Sequence, residues 1–108
     1  MSLIYHIATR SDWESAQRAG EYTTSSLGVT LAEEGFIHCS QADQVAGVAK
    51  KYYKNELDLV LLVIDAGKLT APLRYEAVPG EPAPYPHIYG PLNTDAVVEA
   101  RPFTAPGS

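Results

Sequence analysis

A chain of 108 residues, 45% of them apolar, has the material for one hydrophobic core and not for two domains of ordinary size. Its formal net charge of −5 argues against a long nucleic-acid footprint, because phosphate contacts require a stripe of Lys and Arg. The longest apolar run, Leu59 to Ile64, is too short to cross a bilayer, and no basic segment with an apolar stretch and cleavage site opens the chain.

The expected setting is therefore neither secreted nor membrane-bound. Cys39 is the single cysteine, so no internal disulfide can form, which fits a reducing, cytoplasmic compartment.

In chain order, Leu3 to Ala8 reads as a first strand. Ser11 followed by Glu14 has the pattern of a capping box that opens a helix, and Gly20 stops it. Tyr22 to Glu34 has no sustained period and reads as an ordered loop with at most one helical turn, a candidate wall of a site. Phe36 to Ser40 reads as a short strand. Val45, Val48, Ala49 and Tyr52 then recur at helical spacing, with Ser40 as the expected cap and Lys50, Lys51 and Lys54 at the helix end. Leu57 to Ile64, nearly all apolar and partly β-branched, is the expected central strand covered on both faces.

Arg74 to Val78 reads as another strand. The prolines of Pro79 to Pro86 block helix and central ladder pairing, so this stretch reads as a semi-rigid surface loop. Gly90-Pro91 marks a turn, Asn93-Thr94-Asp95 could cap a helical turn, and a last strand follows at Val97 to Phe103. The expectation is a single α+β domain over residues 1–108, its core about 3–103 and its tail 104–108 frayed. Two main helices pack on a mixed or largely antiparallel sheet.

Side chains alternate along a strand, so Ile37 and Cys39 should face the core while His38 and Ser40 take the other, more polar face. The same alternation sets His87 and Tyr89 opposite Ile88, and His6 opposite Tyr5 and Ile7. All three histidines of the chain thus lie in short strands beside Thr9, Ser40 or Tyr89, and a cleft lined by His6, His38 and His87 is expected. Each also has the plain reading of a half-buried imidazole bonded to a carbonyl. No H-x-x-x-H or C-x-x-C spacing is present, so no metal is expected. Cys39 should be a buried thiol, since its neighbour His38 points away from it. Glu76 shares a face with Arg74 and can pair with it. The functional alternative is a carboxylate that holds a ribose hydroxyl or stabilises positive charge.

Ile4-Tyr5-His6, Trp13, Glu34-Gly35-Phe36-Ile37-His38-Cys39-Ser40 with Gln44, Leu61 to Asp65, and Pro86-His87-Ile88-Tyr89-Gly90-Pro91-Leu92 together resemble the bacterial family known as domain of unknown function 952. That family in turn resembles the ADP-ribosyltransferase superfamily, especially the NAD-dependent RNA 2′-phosphotransferases, with an early Y-H-G-T, a later V-H-L-S and an apolar strand ending in Asp. Tyr5-His6-Ile7-Ala8-Thr9, Ile37 to Ser40 and Leu61 to Asp65 keep that order, with one extra residue between His6 and Thr9.

The resemblance implies a split, mostly antiparallel sheet with an NAD-type cleft. It carries over to His6, Thr9, His38 and Ser40, whereas Glu76 matches no catalytic motif of the transferases. Together with the reading of the strands, the catalytic candidates are His38, His6 and Glu76, and the expected cofactor contacts are His6, Thr9, Ser40, His87 and Tyr89. Two function classes follow: an NAD-dependent transferase or glycohydrolase, and a non-catalytic module that binds a nucleotide or related small molecule. The partner expected in either case is a small molecule, not nucleic acid or membrane.

Overall fold

The computed structural model describes residues 2–105. Strand β1 (Leu3–Thr9) leads into helix α1 (Arg10–Ala19). The helix is capped by Thr9, whose hydroxyl accepts the Asp12 N–H at 3.2 Å, and not by the expected Ser11 to Glu14 box. Thr9 is still extended, as a capping residue must be, whereas Ser11 already lies inside the helix. Gly20 stops the helix with φ +83, the left-handed conformation that glycine adopts without steric cost.

The segment expected as a loop is more ordered than its composition suggests. It contains β2 (Glu21–Tyr22), a hairpin of β3 (Thr24–Ser26) and β4 (Val29–Thr30), and the short helix α2 (Leu31–Glu34). A capping box between Thr30 and Glu33 opens α2. Strand β5 (Ile37–His38) follows, then helix α3 (Val45–Tyr52), preceded by a 3-10 turn over Ala42–Gln44. Ser40 does not cap α3. Its backbone exchanges two hydrogen bonds with Tyr5, of 2.9 and 2.7 Å, which leaves Gln41 to begin the turn, with the Gln44 side chain returning to its N–H.

The remaining strands are β6 (Leu59–Asp65), β7 (Leu73–Glu76), β8 (Tyr85–Ile88), β9 (Leu92–Asn93) and β10 (Val97–Phe103). Every residue of β6 is buried, because β1 and β10 flank it, both antiparallel, and both of its faces are covered. A second antiparallel sheet has the order β5-β8-β7. The Tyr5–Ser40 bridge joins the two, so β1 and the chain after β5 form the seam of a split sheet. Strand β8 lies at the centre of the second sheet although it contains Pro86. The Pro86 carbonyl accepts from Cys39 N–H. A strand residue directs both backbone polar groups toward the same neighbour, so the missing N–H faces Cys39, just past the end of β5, and the β8–β7 ladder loses no donor.

Two apolar clusters pack on opposite faces of β1 and β6. One joins Ile4, Ala8, Leu62 and Ile64 to Ala16 of α1 and to Ile37, Cys39 and Ile88. The other joins Ile7, Leu59 and Leu61 to Val45, Val48 and Ala49 of α3. Ala105, placed by the sequence in a frayed tail, is buried in this second cluster; residues 106–108 lie outside the described residues. The result is one α+β domain with antiparallel sheets and few helices. Its radius of gyration of 12.7 Å is that of a single domain of this length, about 13 Å. Among the described residues no helix is long and apolar enough to cross a membrane.

Candidate functional site

Strands β5 and β8 pair so that Ile37 faces Ile88 and His38 faces His87. The two isoleucines enter the first core cluster, and alternation therefore turns both imidazoles to the face covered by α3. There His38 Nδ1 lies 3.3 Å from His87 Nε2, and His87 Nδ1 lies 2.7 Å from Glu76 Oε1 on β7. The same carboxylate oxygen accepts the Tyr89 hydroxyl. Those two donors, the Tyr89 hydroxyl above all, hold the Glu76 carboxyl below its ordinary pKa, so Glu76 is an anion and His87 must donate to it through Nδ1–H.

The tautomers then follow one from another. With a neutral His87, Nε2 keeps a lone pair that accepts His38 Nδ1–H, and His38 Nε2 ends the chain as a bare acceptor. That atom is buried and has no hydrogen-bond partner. Burial, reinforced by the neighbouring His87, pushes the His38 imidazole down to a pKa of about 4. It is thus neutral at neutral pH.

Stacking fixes both rings in place: Phe36 lies over His87 with centroids 4.0 Å apart, and Tyr85 lies against His38 at 5.1 Å. The Tyr85 hydroxyl donates to Glu81, and the side-chain amides of Gln41 and Gln44 both donate to the Pro84 carbonyl. The proline-rich loop is in this way tied down beside the imidazoles.

His38 and His87 line a cavity of about 260 Å³ together with Ser25, Glu34, Phe36 and Tyr53. A narrower hollow of about 100 Å³ adjoins it through the shared residues His38, Val48, Tyr52 and Val78, and adds Lys51, Glu81 and Tyr85. Among the described residues two buried side-chain polar atoms lack a partner, His38 Nε2 and Ser25 Oγ, and both residues line this one cavity. Buried polar groups are ordinarily satisfied, so the cavity is the place where something is expected to bind.

The expected convergence of three histidines is corrected to two. His6 is 2% exposed and lies on the other face of the sheet. Its Nε2 is 2.8 Å from the Tyr22 hydroxyl, and its Nδ1 is 2.7 Å from the His38 carbonyl oxygen. Tyr22 keeps its proton, since burial raises its pKa; the hydroxyl therefore donates to Nε2, and His6 Nδ1–H donates to the carbonyl. His6 thus grips the backbone of β5 from behind and does not line the cavity. Burial pushes its pKa down to about 4.

Thr9 caps α1 and Ser40 bridges the sheets, and neither lines the cavity. Glu76 touches His87 and Tyr89 in place of the cavity, and the Arg74 guanidinium lies over the Tyr89 ring at 5.3 Å. Cys39 is 1% exposed in the opposite core cluster, and burial raises the pKa of its thiol. No group of three or more His, Cys, Asp or Glu able to hold a metal occurs among the described residues.

Four cavity residues escape a reading of strand motifs. Phe36 shares a face with His38, two positions away, and alternation alone could have found it. Ser25 and Glu34 arrive through the Tyr22 to Glu34 stretch, expected as a candidate wall without any residue singled out, and Tyr53 through the end of α3, whose packing no local pattern encodes.

A family model described as a protein of unknown function (DUF952) matches residues 7–100. The crystal structure of protein CC0527 from Caulobacter crescentus is similar to this chain with 33% identity and a TM-score of 0.84, over 95% of this chain and 87% of that one. Its solution NMR structure shows 35% identity and a TM-score of 0.74, over 93% and 83%. No curated protein matches.

Proposed function

The chain belongs to the family of proteins of unknown function DUF952, and from that premise we propose that the His38 cavity is the site of an ADP-ribosyltransferase-like enzyme, an NAD-dependent transferase or glycohydrolase. The observation that carries this reading is the unpartnered His38 Nε2 at the end of the Glu76–His87–His38 chain. The order of the Tyr5-His6, Ile37 to Ser40 and Leu61 to Asp65 segments supports an ADP-ribosyltransferase-like arrangement. With its adjoining hollow, the cavity reaches the lower end of small-molecule sites, about 300–1,000 Å³. A cytoplasmic setting with NAD as substrate completes the proposal.

The bond that breaks is the glycosidic C–N bond of NAD, and nicotinamide leaves with the electron pair. Water or an acceptor hydroxyl forms the new bond to the ribose carbon and gives its proton to His38 Nε2, which acts as general base. As that proton arrives, His38 Nδ1–H passes to His87 Nε2. The positive charge then rests on His87, beside the Glu76 carboxylate, where the ion pair stabilises it. Glu34, which lines the cavity, is a carboxylate able to face an oxocarbenium-like state.

The second reading, a non-catalytic binding module, draws on Glu76. Its Oε1 is engaged by His87 and Tyr89, which leaves this candidate catalytic carboxylate occupied.

Calorimetric titration with NAD, followed by nicotinamide release, separates these readings. The enzyme reading expects binding and release by wild type, and a fall in release of about 10²–10⁴-fold in His38→Ala with the fold intact by circular dichroism. Binding without release by wild type would leave the module; no binding at millimolar NAD would defeat the NAD enzyme and an NAD-binding module, leaving only a module for another small molecule.

A further inference from the structure

The chemistry of the cavity wall goes further than the identity of its base. Glu34 lines the cavity as an exposed carboxylate, with no hydrogen bond or ion pair to any described residue. No lysine or arginine lines the same cavity, whose walls include Phe36, Tyr52 and Tyr53. Tyr52 already takes a cation on its ring, the Lys51 ammonium group at 5.3 Å from the centroid; Lys51 itself lines only the adjoining hollow. The two unpartnered polar atoms, His38 Nε2 and Ser25 Oγ, add a bare acceptor and a hydroxyl able to accept.

A phosphate or carboxylate placed here would meet Glu34 and a lone pair with no compensating cation. A cation carrying N–H donors would meet a carboxylate, an acceptor and aromatic walls, each of which attracts it. Ser25 is 1% exposed and its hydroxyl has no partner among the described residues; a bound donor that reaches it would satisfy it.

We propose that the cavity beside Glu34, Ser25 and His38 binds a flat organic cation bearing N–H donors, of the amidinium or protonated aminoheterocycle class. This rests on the reading of the cavity as a ligand site. It assigns Glu34 and Ser25 as contacts, and it directs any anionic part of a larger ligand toward the Lys51 hollow.

Benzamidinium, neutral benzamide and anionic benzoate share one ring and differ in charge, so the three serve as probes. They are titrated into wild type, Glu34→Gln and Ser25→Ala at pH 7, with backbone amide shifts as the readout. Benzamidinium is expected to bind wild type about tenfold or more tightly than benzamide, with benzoate weakest, and to shift the amides around Ser25 and His38. Glu34→Gln should abolish that preference, and Ser25→Ala should weaken benzamidinium about fivefold. Glu34 makes no contact that folding needs, so its variant keeps the test valid even if Ser25→Ala proves unstable.

Equal binding of benzamidinium and benzamide, a preference for benzoate, an unchanged preference in Glu34→Gln, or no binding by any probe at about 10 mM would overturn the inference. Parallel titration with NAD keeps the two proposals apart. NAD binding without a benzamidinium preference removes only the cation site; benzamidinium binding without NAD removes only the NAD enzyme.

Discussion

His6 and His38 present the same residue type in two roles that burial alone does not distinguish. Both are pushed down to a pKa of about 4, chiefly by burial. His6, however, has partners on both ring nitrogens, whereas His38 keeps one lone pair for the cavity. The His6 pKa has a consequence for stability. An unfolded histidine titrates near 6.5, so between pH 6.5 and 4 the unfolded state binds more protons than the folded one. The contribution is fully present above pH 6.5 and is lost as pH falls through the folded value, about 3 kcal/mol for His6 across that window. Urea unfolding from pH 7.5 to 4 should show this decline. His6→Ala should reduce the slope by about half, His38 supplying the rest, while lowering stability at pH 7 by about 2–4 kcal/mol, because the Tyr22 hydroxyl and the His38 carbonyl lose their partner. An unchanged pH slope in the variant would show that His6 is not the titrating group.

At the level of the elements, each functional side chain owes its position to a short piece of chain held from several sides. Strand β5 has two residues, too few to be stable alone. It is kept in place by β8, by the Ser40 bridge and by the His6 imidazole. The turn after β8 depends on close packing: a Cβ at Gly90 would lie 2.7 Å from the Ala71 Cβ, inside any normal contact. Gly90→Ala is therefore expected to cost about 1–3 kcal/mol and to lower the melting temperature by roughly 5–10 °C. An unaltered melting temperature would mean that the turn relaxes freely.

Much at this scale was legible in the sequence. The buried β6 followed from its apolar run, Gly20 from its place after a helix, and the turning of His38 away from Ile37 and of His87 away from Ile88 from alternation, though not the pairing of the two strands. His6 was misplaced because alternation gives only relative faces, and β1 is covered by α1 on one side and by α3 on the other. Pro86 inside a central strand was illegible too, since its tolerance depends on where β5 ends. Ser25 was legible only as one position of the Tyr22 to Glu34 wall; its own importance arises when the hairpin folds against β5.

For the molecule as a whole, the split sheet sets one end of the Glu76–His87–His38 chain near the surface and the other inside the cavity. The Glu76 side chain is 36% exposed and that of His87 only 6%. The charge balance of −5 and the Glu34 carboxylate in the cavity wall agree in disfavouring a purely anionic ligand, while the adjoining hollow offers the Lys51 cation. The central claim is that His38 presents a bare Nε2 to a ligand. The most direct test is long-range proton–nitrogen NMR of the histidine rings, with NAD added at pH 7. The account predicts a neutral His38 protonated at Nδ1, with an Nε2 resonance that shifts on NAD addition while both His6 nitrogens stay fixed. A His38 protonated at Nε2 in the free protein, or an Nε2 resonance indifferent to saturating NAD, would contradict it.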